Sequence, residues 1–145
     1  MAVQTSAGTT MAVSDALPAT NDDTGFAALT WEDVGEVTDL GEFGRQYNLV
    51  THLPLGSRQL QKFKGSFDDG KIAVQLGRDT SDAGQVDLEA GLASDNNYSF
   101  RITIQDGTIF YFQAKVMSFT TGVGGADSIT GGTVNLEIDQ AIVRV

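Results

Sequence analysis

The sequence predicts a mainly β protein, a β-sandwich or partial barrel with one flanking α-helix. Three observations predict it. Apolar and polar residues alternate with period two through most of the second half. Asp106-Gly107, a tight-turn pair, separates two of these alternating runs. Only one stretch, Ser81 to Ala93, carries convincing helical spacing.

In chain order, Thr10 to Val13 reads as a short strand and Pro18 to Gly25 as a polar loop. Val34 to Leu40 reads as a strand. Gly41 to Gln59, about 19 residues with Pro54 and three glycines, has no clear period. Unstructured loops of that length are uncommon in compact domains and are usually functional or disordered. Leu60 to Lys64 and Lys71 to Leu76 read as strands joined through the turn Asp68-Asp69-Gly70. In the helix, Thr80 or Ser81 is expected to cap the N-terminus and Asp82 to face the positive end of the dipole. Val86 with Ala90, and Leu88 with Leu92, form i, i+4 pairs. Gly84 and Gly91 lower its propensity, so it is expected to depend on packing against a sheet.

The clearest element is the hairpin that follows. Tyr98, Phe100, Ile102 and Ile104 share one face, and Ser99, Arg101, Thr103 and Gln105 the other. The return strand sets Phe110, Phe112, Ala114 and Val116 opposite Gln113, Lys115 and Met117. Asp106 and Gly107 are expected to supply the positive φ angles between them. Gly122 to Gly125 is a flexible connection. The last strand alternates Val134, Leu136 and Ile138 with Thr133, Asn135, Glu137 and Asp139, and Ala141 to Val145 can extend it. Gly131-Gly132 suggests a bulge or bend at its start.

At 145 residues the chain fits one domain, 1–145, with an N-terminal arm over about 1–9 and a C-terminal tail over about 140–145. Nineteen Asp and Glu oppose nine Lys and Arg, giving a net charge of −10. That balance argues against a protein that grips nucleic acid or anionic membranes, since both need basic patches. Charge is also segregated. Residues 1–44 hold eight acids and no Lys or Arg, whereas 45–71 hold Arg45, Arg58, Lys62, Lys64 and Lys71 against Asp68 and Asp69. This is either chance placement on a solvated surface or a pair of patches that meet between copies.

No chemistry-bearing constellation emerges. With no Cys, disulfides, Cys-ligated zinc and thiol catalysis are excluded, and His52 is the single histidine. No Gly-x-Ser-x-Gly elbow accompanies it. Gly122-Val123-Gly124-Gly125-Ala126 precedes a strand and not a helix, so it lacks the context of a dinucleotide loop. The pairs Asp22-Asp23 and Asp68-Asp69 sit in turn-like contexts, which argues against a glycosidase, and for a calcium site using Asp22, Asp23 or Asp95 solvated loop acids are the commoner case. The Asn97-Tyr98-Ser99 sequon is discounted, because the first 14 residues hold neither a basic residue nor an apolar run that would read as a secretion signal. The longest purely apolar stretch, Ile109 to Phe112, is far short of the roughly 20 residues a membrane helix needs. No catalytic residue, metal ligand or cofactor is expected, and an enzyme is the weakest class.

A structural or binding β protein remains. Exposed sheet edges invite pairing with another copy. A head-to-tail contact that closes makes a ring, and joined edges would make a barrel too wide for side chains to fill. The polar Thr, Gln, Ser and Asn faces fit a wet lumen, and they equally fit an ordinary solvated surface.

The ordered landmarks are Ala7-Gly8-Thr9-Thr10, Val34-Gly35-Glu36-Val37-Thr38-Asp39-Leu40, Asp82-Ala83-Gly84-Gln85, Asp95 to Tyr98, Asp106-Gly107-Thr108 and Val116 to Phe119. Taken together they span nearly the whole chain. In them the sequence resembles the major tail tube proteins of long-tailed, lambda-like (siphovirus) bacteriophages. No additional C-terminal immunoglobulin-like domain is seen.

The resemblance implies a non-enzymatic virion protein of the tail, assembled in the bacterial host cytoplasm without cofactors. It would self-assemble into stacked hexameric rings around a tape-measure protein, with tail-tip initiator and terminator proteins as partners. DNA would pass through the lumen without sequence-specific binding, and the chain would bind no membrane. Contacts between subunits or rings are implied for the arm, the 41–59 loop and the tail, at Thr5, Thr9, Glu42, Phe43, Arg45, Tyr47, His52, Leu53, Arg58 and Arg144. Gln113, Lys115, Asn135, Glu137 and Asp139 are the lumen candidates. Acidic walls would repel phosphate and let DNA slide. The competing expectation is a monomeric carbohydrate-binding or adhesin-like β-sandwich. It would need clustered exposed aromatics, whereas Trp31, Tyr47 and Tyr111 are scattered in the sequence.

Overall fold

The computed structural model describes residues 3–145. Residues 1 and 2 of the expected N-terminal arm lie outside the described residues. The strands are β1 (Thr10–Ser14), β2 (Glu32–Asp33), β3 (Val37–Asp39), β4 (Gln46–His52), β5 (Gln61–Asp68), β6 (Lys71–Gly77), β7 (Tyr98–Thr103), β8 (Ile109–Gly122), β9 (Gly131–Ile138) and β10 (Val143–Arg144). The helices are α1 (Asp23–Ala27) and α2 (Ala83–Ala93).

One antiparallel sheet runs β2-β1-β7-β8-β9-β6-β3, with β10 also paired to β8. It curls into a half-barrel, so the mainly β partial barrel with a flanking helix is what forms. Strands β4 and β5 make a separate two-stranded ribbon.

Alternation sets the sheet's two faces. In β9, Val134, Leu136 and Ile138 are buried while Asn135 and Glu137 are exposed. In β6, Ile72, Val74 and Leu76 point inward between exposed Lys71, Ala73 and Gln75. Phe100, Ile102, Phe112, Ala114 and Val116 join them from the β7–β8 hairpin. Fully burying each large aliphatic or aromatic side chain contributes about 1.5–3 kcal/mol, so this inner face is the main stabilising surface.

The hairpin closes through a three-residue loop. Ile104 N donates to Thr108 O and Gly107 N to Ile104 O, each at 3.0 Å. Gly107 alone adopts a positive φ, +93°, while Asp106 does not. The turn is therefore a type I turn with a left-handed glycine, not the two-residue form expected. Asp106 contributes by accepting from Thr108 N at 2.9 Å.

Helix α2 lies over the inner face and seals it with Leu88, which is fully buried. It packs on β8, β1 and β2, as its weak propensity required. Its cap is Asp82, whose carboxylate accepts from Gln85 N at 3.1 Å, and not Thr80 or Ser81. Val86 and Leu92 are exposed, so their i, i+4 partners Ala90 and Leu88 gain little from them.

Other local expectations shift. Pro18 to Gly25 is not all loop. Asp22 caps α1 by accepting from Gly25 N at 2.8 Å, and α1 delivers buried Phe26. The segment 34–40 splits around Glu36, which has φ +62°, leaving only 37–39 as strand. Gly131 and Gly132 keep regular register with both β6 and β8. The bulge falls instead in β8, between Val116 and Ser118. The largest difference is in 41–59, where Gln46–His52 is strand β4.

Candidate functional site

The ribbon of β4 and β5 is the most unusual surface. Its register runs from Gln46 opposite Asp68 to His52 opposite Gln61. Every residue of β4 is exposed, as is every residue of β5 except half-buried Gly65. No member of the main core lies between 46 and 68. Ordinary strands bury one face, and it is that burial which gives period two its meaning. Here, among the described residues, no other element packs over either face.

The uncovered side chains are large and apolar. Leu49 is 66% exposed, Phe63 53% and Leu53 60%. Val50 stands opposite Phe63, and Tyr47 opposite Phe67. One face mixes these with cations: Lys64 Nζ lies 4.8 Å from the Tyr47 ring centre and the Arg45 guanidinium carbon 4.0 Å from that of Phe67. The ribbon thus presents a basic, aromatic face and a second face carrying Val50 and Phe63.

At its base, Arg45 Nε donates to Asp69 Oδ1 at 2.9 Å, and that carboxylate is almost fully covered. Asp69, which the sequence places simply in a turn, anchors the ribbon. Phe43, just before it, packs inward, 5.3 Å from the Phe110 ring in an edge-on arrangement and 6.2 Å from Phe112.

The remaining candidate contact residues are dispersed. Thr5, Glu42, Tyr47, His52, Leu53 and Arg58 are exposed, and Thr9 is half-buried at the start of β1. Arg144 belongs to β10, which lies along β8 opposite Phe110. Val145 N donates to Ile109 O at 2.8 Å, so the tail extends the sheet of its own chain.

All five lumen candidates occupy the outer side of the β8–β9 surface. Asn135 Nδ2 donates to Ser118 Oγ at 2.7 Å. Lys115 Nζ donates to Asn97 Oδ1 at 2.7 Å and to Asp139 Oδ2 at 3.1 Å, and Asn97 Nδ2 donates to that same oxygen at 2.7 Å. These bonds hold the Asp139 carboxyl below its usual range, with the Asn97 bond as the largest cause and Lys115 second. Gln113 Nε2 reaches Asn21 Oδ1 at 3.3 Å. Glu137 stands between Lys71 of β6 and Lys115 of β8. Two lysines and two carboxylates therefore offset one another here. The acidic excess lies elsewhere on the chain, so this surface is polar and nearly neutral.

Two stretches of sheet backbone lack a neighbouring strand among the described residues. Strand β7 ends at Tyr98 opposite Ala114, leaving Lys115 to Gly122 of β8 uncovered on that side. Strand β3 pairs only with Gln75 and Leu76 of β6, so Lys71 to Val74 has no partner strand on that side, although the segment after β3 passes close by, with Gly41 against the Ala73 backbone.

Of the three aromatics a glycan platform would use, Tyr47 is exposed beside Phe67 on the ribbon, with ring centres 5.4 Å apart, whereas Trp31 and Tyr111 are packed elsewhere. Phe26 stacks on Tyr111 with ring centres 5.1 Å apart, and Tyr111 is buried beneath it. Trp31 donates from Nε1 to Phe26 O at 3.2 Å, and the Arg101 guanidinium covers its ring. Trp31 and Tyr111 thus meet, though for packing. Among the described residues no group of three or more His, Cys, Asp or Glu is placed to hold a metal ion. No helix is long and apolar enough to cross a membrane.

No family model and no curated protein matches the sequence. Solved structures do match the fold. A chain from the cryo-EM baseplate of the anti-feeding prophage, six-fold symmetrised, has TM-score 0.72 and 11% identity, covering 100% of this chain and 97% of that one. A chain from the tail of an empty gene transfer agent particle, refined helically with C6 symmetry, has TM-score 0.68 and 12% identity, covering 97% of each. The SPP1 tail tube has TM-score 0.63 and 11% identity, covering 94% of this chain and 75% of that one. The chain has the phage tail tube fold.

Proposed function

We propose that this chain is a structural subunit that joins copies of itself into the wall of a hollow tail tube. One observation carries this reading: a 23-residue segment, 46–68, folds as a two-stranded ribbon with large apolar side chains uncovered on both faces. An isolated two-stranded hairpin is marginal in water, and an apolar surface of this kind marks an interaction site. The unpaired edges of β8 and β6 support the same reading, because joining one to the other is a head-to-tail contact that closes into a ring. Six-fold symmetry in the anti-feeding prophage and gene transfer agent structures supports a hexamer.

In this reading the outer surface of β6, β9 and β8 lines a lumen wide enough for DNA. Its Thr, Ser, Asn and Gln groups are hydrated, and its four charges offset one another. DNA phosphate would find neither the cation array that releases counterions and grips nor a strongly repulsive wall. The chain would act in the tail of a virion after assembly in the host cytoplasm, alongside tape-measure, initiator and terminator proteins, and would catalyse nothing.

Negative-stain microscopy tests this. Purified chain, alone and with a tail-tip initiator complex, is expected to give six-fold rings or tubes. A strict monomer under both conditions would overturn the reading.

A further inference from the structure

The ribbon concentrates cations that pair with no carboxylate of the chain among the described residues. Arg45, Arg78, Arg101 and Lys115 each pair with a carboxylate of the same chain. Among the described residues the other five Lys and Arg have no such partner, and three of them, Arg58, Lys62 and Lys64, lie between β4 and the end of β5. Opposing them in that segment is a single acid, Asp68, on a chain whose net charge is −10. The arm is therefore positive and apolar, and the body it projects from is strongly negative.

The body also has a group of carboxylates that have no ion-pair partner among the described residues. Asp15 follows β1, Glu32 sits in β2 beside it, and Asp87 stands on the α2 turn that packs over both strands. Burial and the two neighbouring acids, Asp15 and Glu32, push the Asp87 carboxyl above its usual range. Arg101, in the neighbouring β7 opposite Ala12 of β1, is already paired with Asp33.

We propose that the β4–β5 arm of one copy docks on the Asp15, Glu32 and Asp87 face of a second copy, with Lys62 and Lys64 as the pairing cations. This rests on the tube-subunit reading and deepens it by assigning the two halves of a contact. The occupant is a second copy because arm and face are complementary in charge. Complementarity of this kind steers encounter and fixes register, while the exposed apolar side chains supply contact area. The arm and its acceptor are different surfaces, so the contact is heterologous and propagates from copy to copy.

Charge reversal in two separate proteins tests it. Lys62→Glu/Lys64→Glu leaves a copy with two negative surfaces, and Glu32→Lys/Asp87→Lys leaves one with two positive surfaces. Each alone, shown to be folded by circular dichroism and thermal melting, is expected to lose rings and tubes in negative stain and to sediment as smaller species. An equimolar mixture of the two is expected to recover assembly, because each altered arm then meets an altered face of opposite sign. Wild-type assembly should also weaken at about 1 M salt, where screening acts within about 3 Å. If the wild type assembles and the reversed proteins assemble equally well, or if the folded mixture fails to recover, the pairing is wrong while the tube reading stands. If the wild type forms no ring or tube even with the initiator, both fail.

Discussion

Arg45 and Asp69 are joined across the foot of the arm, Nε to Oδ1 at 2.9 Å, with the same guanidinium lying over Phe67. One side chain thus ties the strand entering the ribbon to the turn leaving it. The base of an otherwise uncovered element is fixed by a charge-assisted bond that a covered carboxylate makes difficult to replace with water. Arg45→Ala should leave the main sheet intact and loosen the arm. In hydrogen exchange, amides of 46–68 are expected to exchange several-fold faster than in the wild type, with those of β7, β8 and β9 unchanged. Unchanged protection across 46–68 would show that the strand pairing alone holds the arm.

Gln85 is expected to be the most sensitive polar residue. It is fully buried, and its amide makes four bonds. Oε1 accepts from Asp79 N at 3.0 Å and Arg78 Nη1 at 3.1 Å, while Nε2 donates to Gly77 O at 2.9 Å and Gly35 O at 3.1 Å. Gln85→Met keeps the volume but strands these groups. A loss of about 3 kcal/mol in chemical denaturation is expected from the uncompensated donors and acceptors. A loss under about 1 kcal/mol would mean that water replaces the amide.

Much of this fold is legible in the sequence, and the failures share a cause. Period two correctly placed β7, β8 and β9 because each buries one face against the chain's own core. It failed over 46–52 because Gln-Tyr-Asn-Leu-Val-Thr-His has no buried face in its own chain, so no alternation was selected there. The signal available is the density of Tyr47, Leu49, Val50, Leu53 and Leu55 within a stretch that otherwise reads as a loop. Asp69 and Gln85 were not readable, since their partners lie across turns that only the fold brings together.

Gly84 shows the same limit. By propensity it weakens α2, and Gly84→Ala should help by up to about 1 kcal/mol. In the fold a Cβ there would sit 2.6 Å from Val34 Cα and against the backbone carbonyl of Asp33, neither of which can rotate away. Gly84→Ala is therefore expected to destabilise by about 2–3 kcal/mol, as overpacking does. A raised melting temperature would show that helix and strand β2 separate more easily than this packing implies.

The pH response of the Lys115–Asp139 cluster has a defined sign. The folded carboxyl of Asp139 titrates below the usual aspartate value of 3.8. Its contribution is fully present above that value and is lost as pH falls through the lower folded value. Both side chains of the ion pair are nearly half exposed, so solvent screening limits the effect to about 0.5 kcal/mol. Asp139→Asn should be less stable than wild type by that amount near neutrality, and the two unfolding curves should converge below pH 3.8. A difference that persists in acid would assign the loss to packing.

Removing the arm separates folding from assembly. Gln46 and Asp68 face each other in register, so an Asn-Gly turn can join them and replace 47–67, keeping Arg45 and Asp69 while removing the Phe67 ring beneath the guanidinium. Because no member of the main core lies in the deleted stretch, stability should change by no more than about 0.5 kcal/mol, the range of surface changes that touch no core or special feature. Solubility should rise, since Leu49, Leu53 and Phe63 are gone. Rings and tubes should disappear. A shortened chain that folds and still forms tubes would move the contact from the arm to the free edges of β6 and β8. One that no longer folds would show that the sheet depends on the deleted strands themselves.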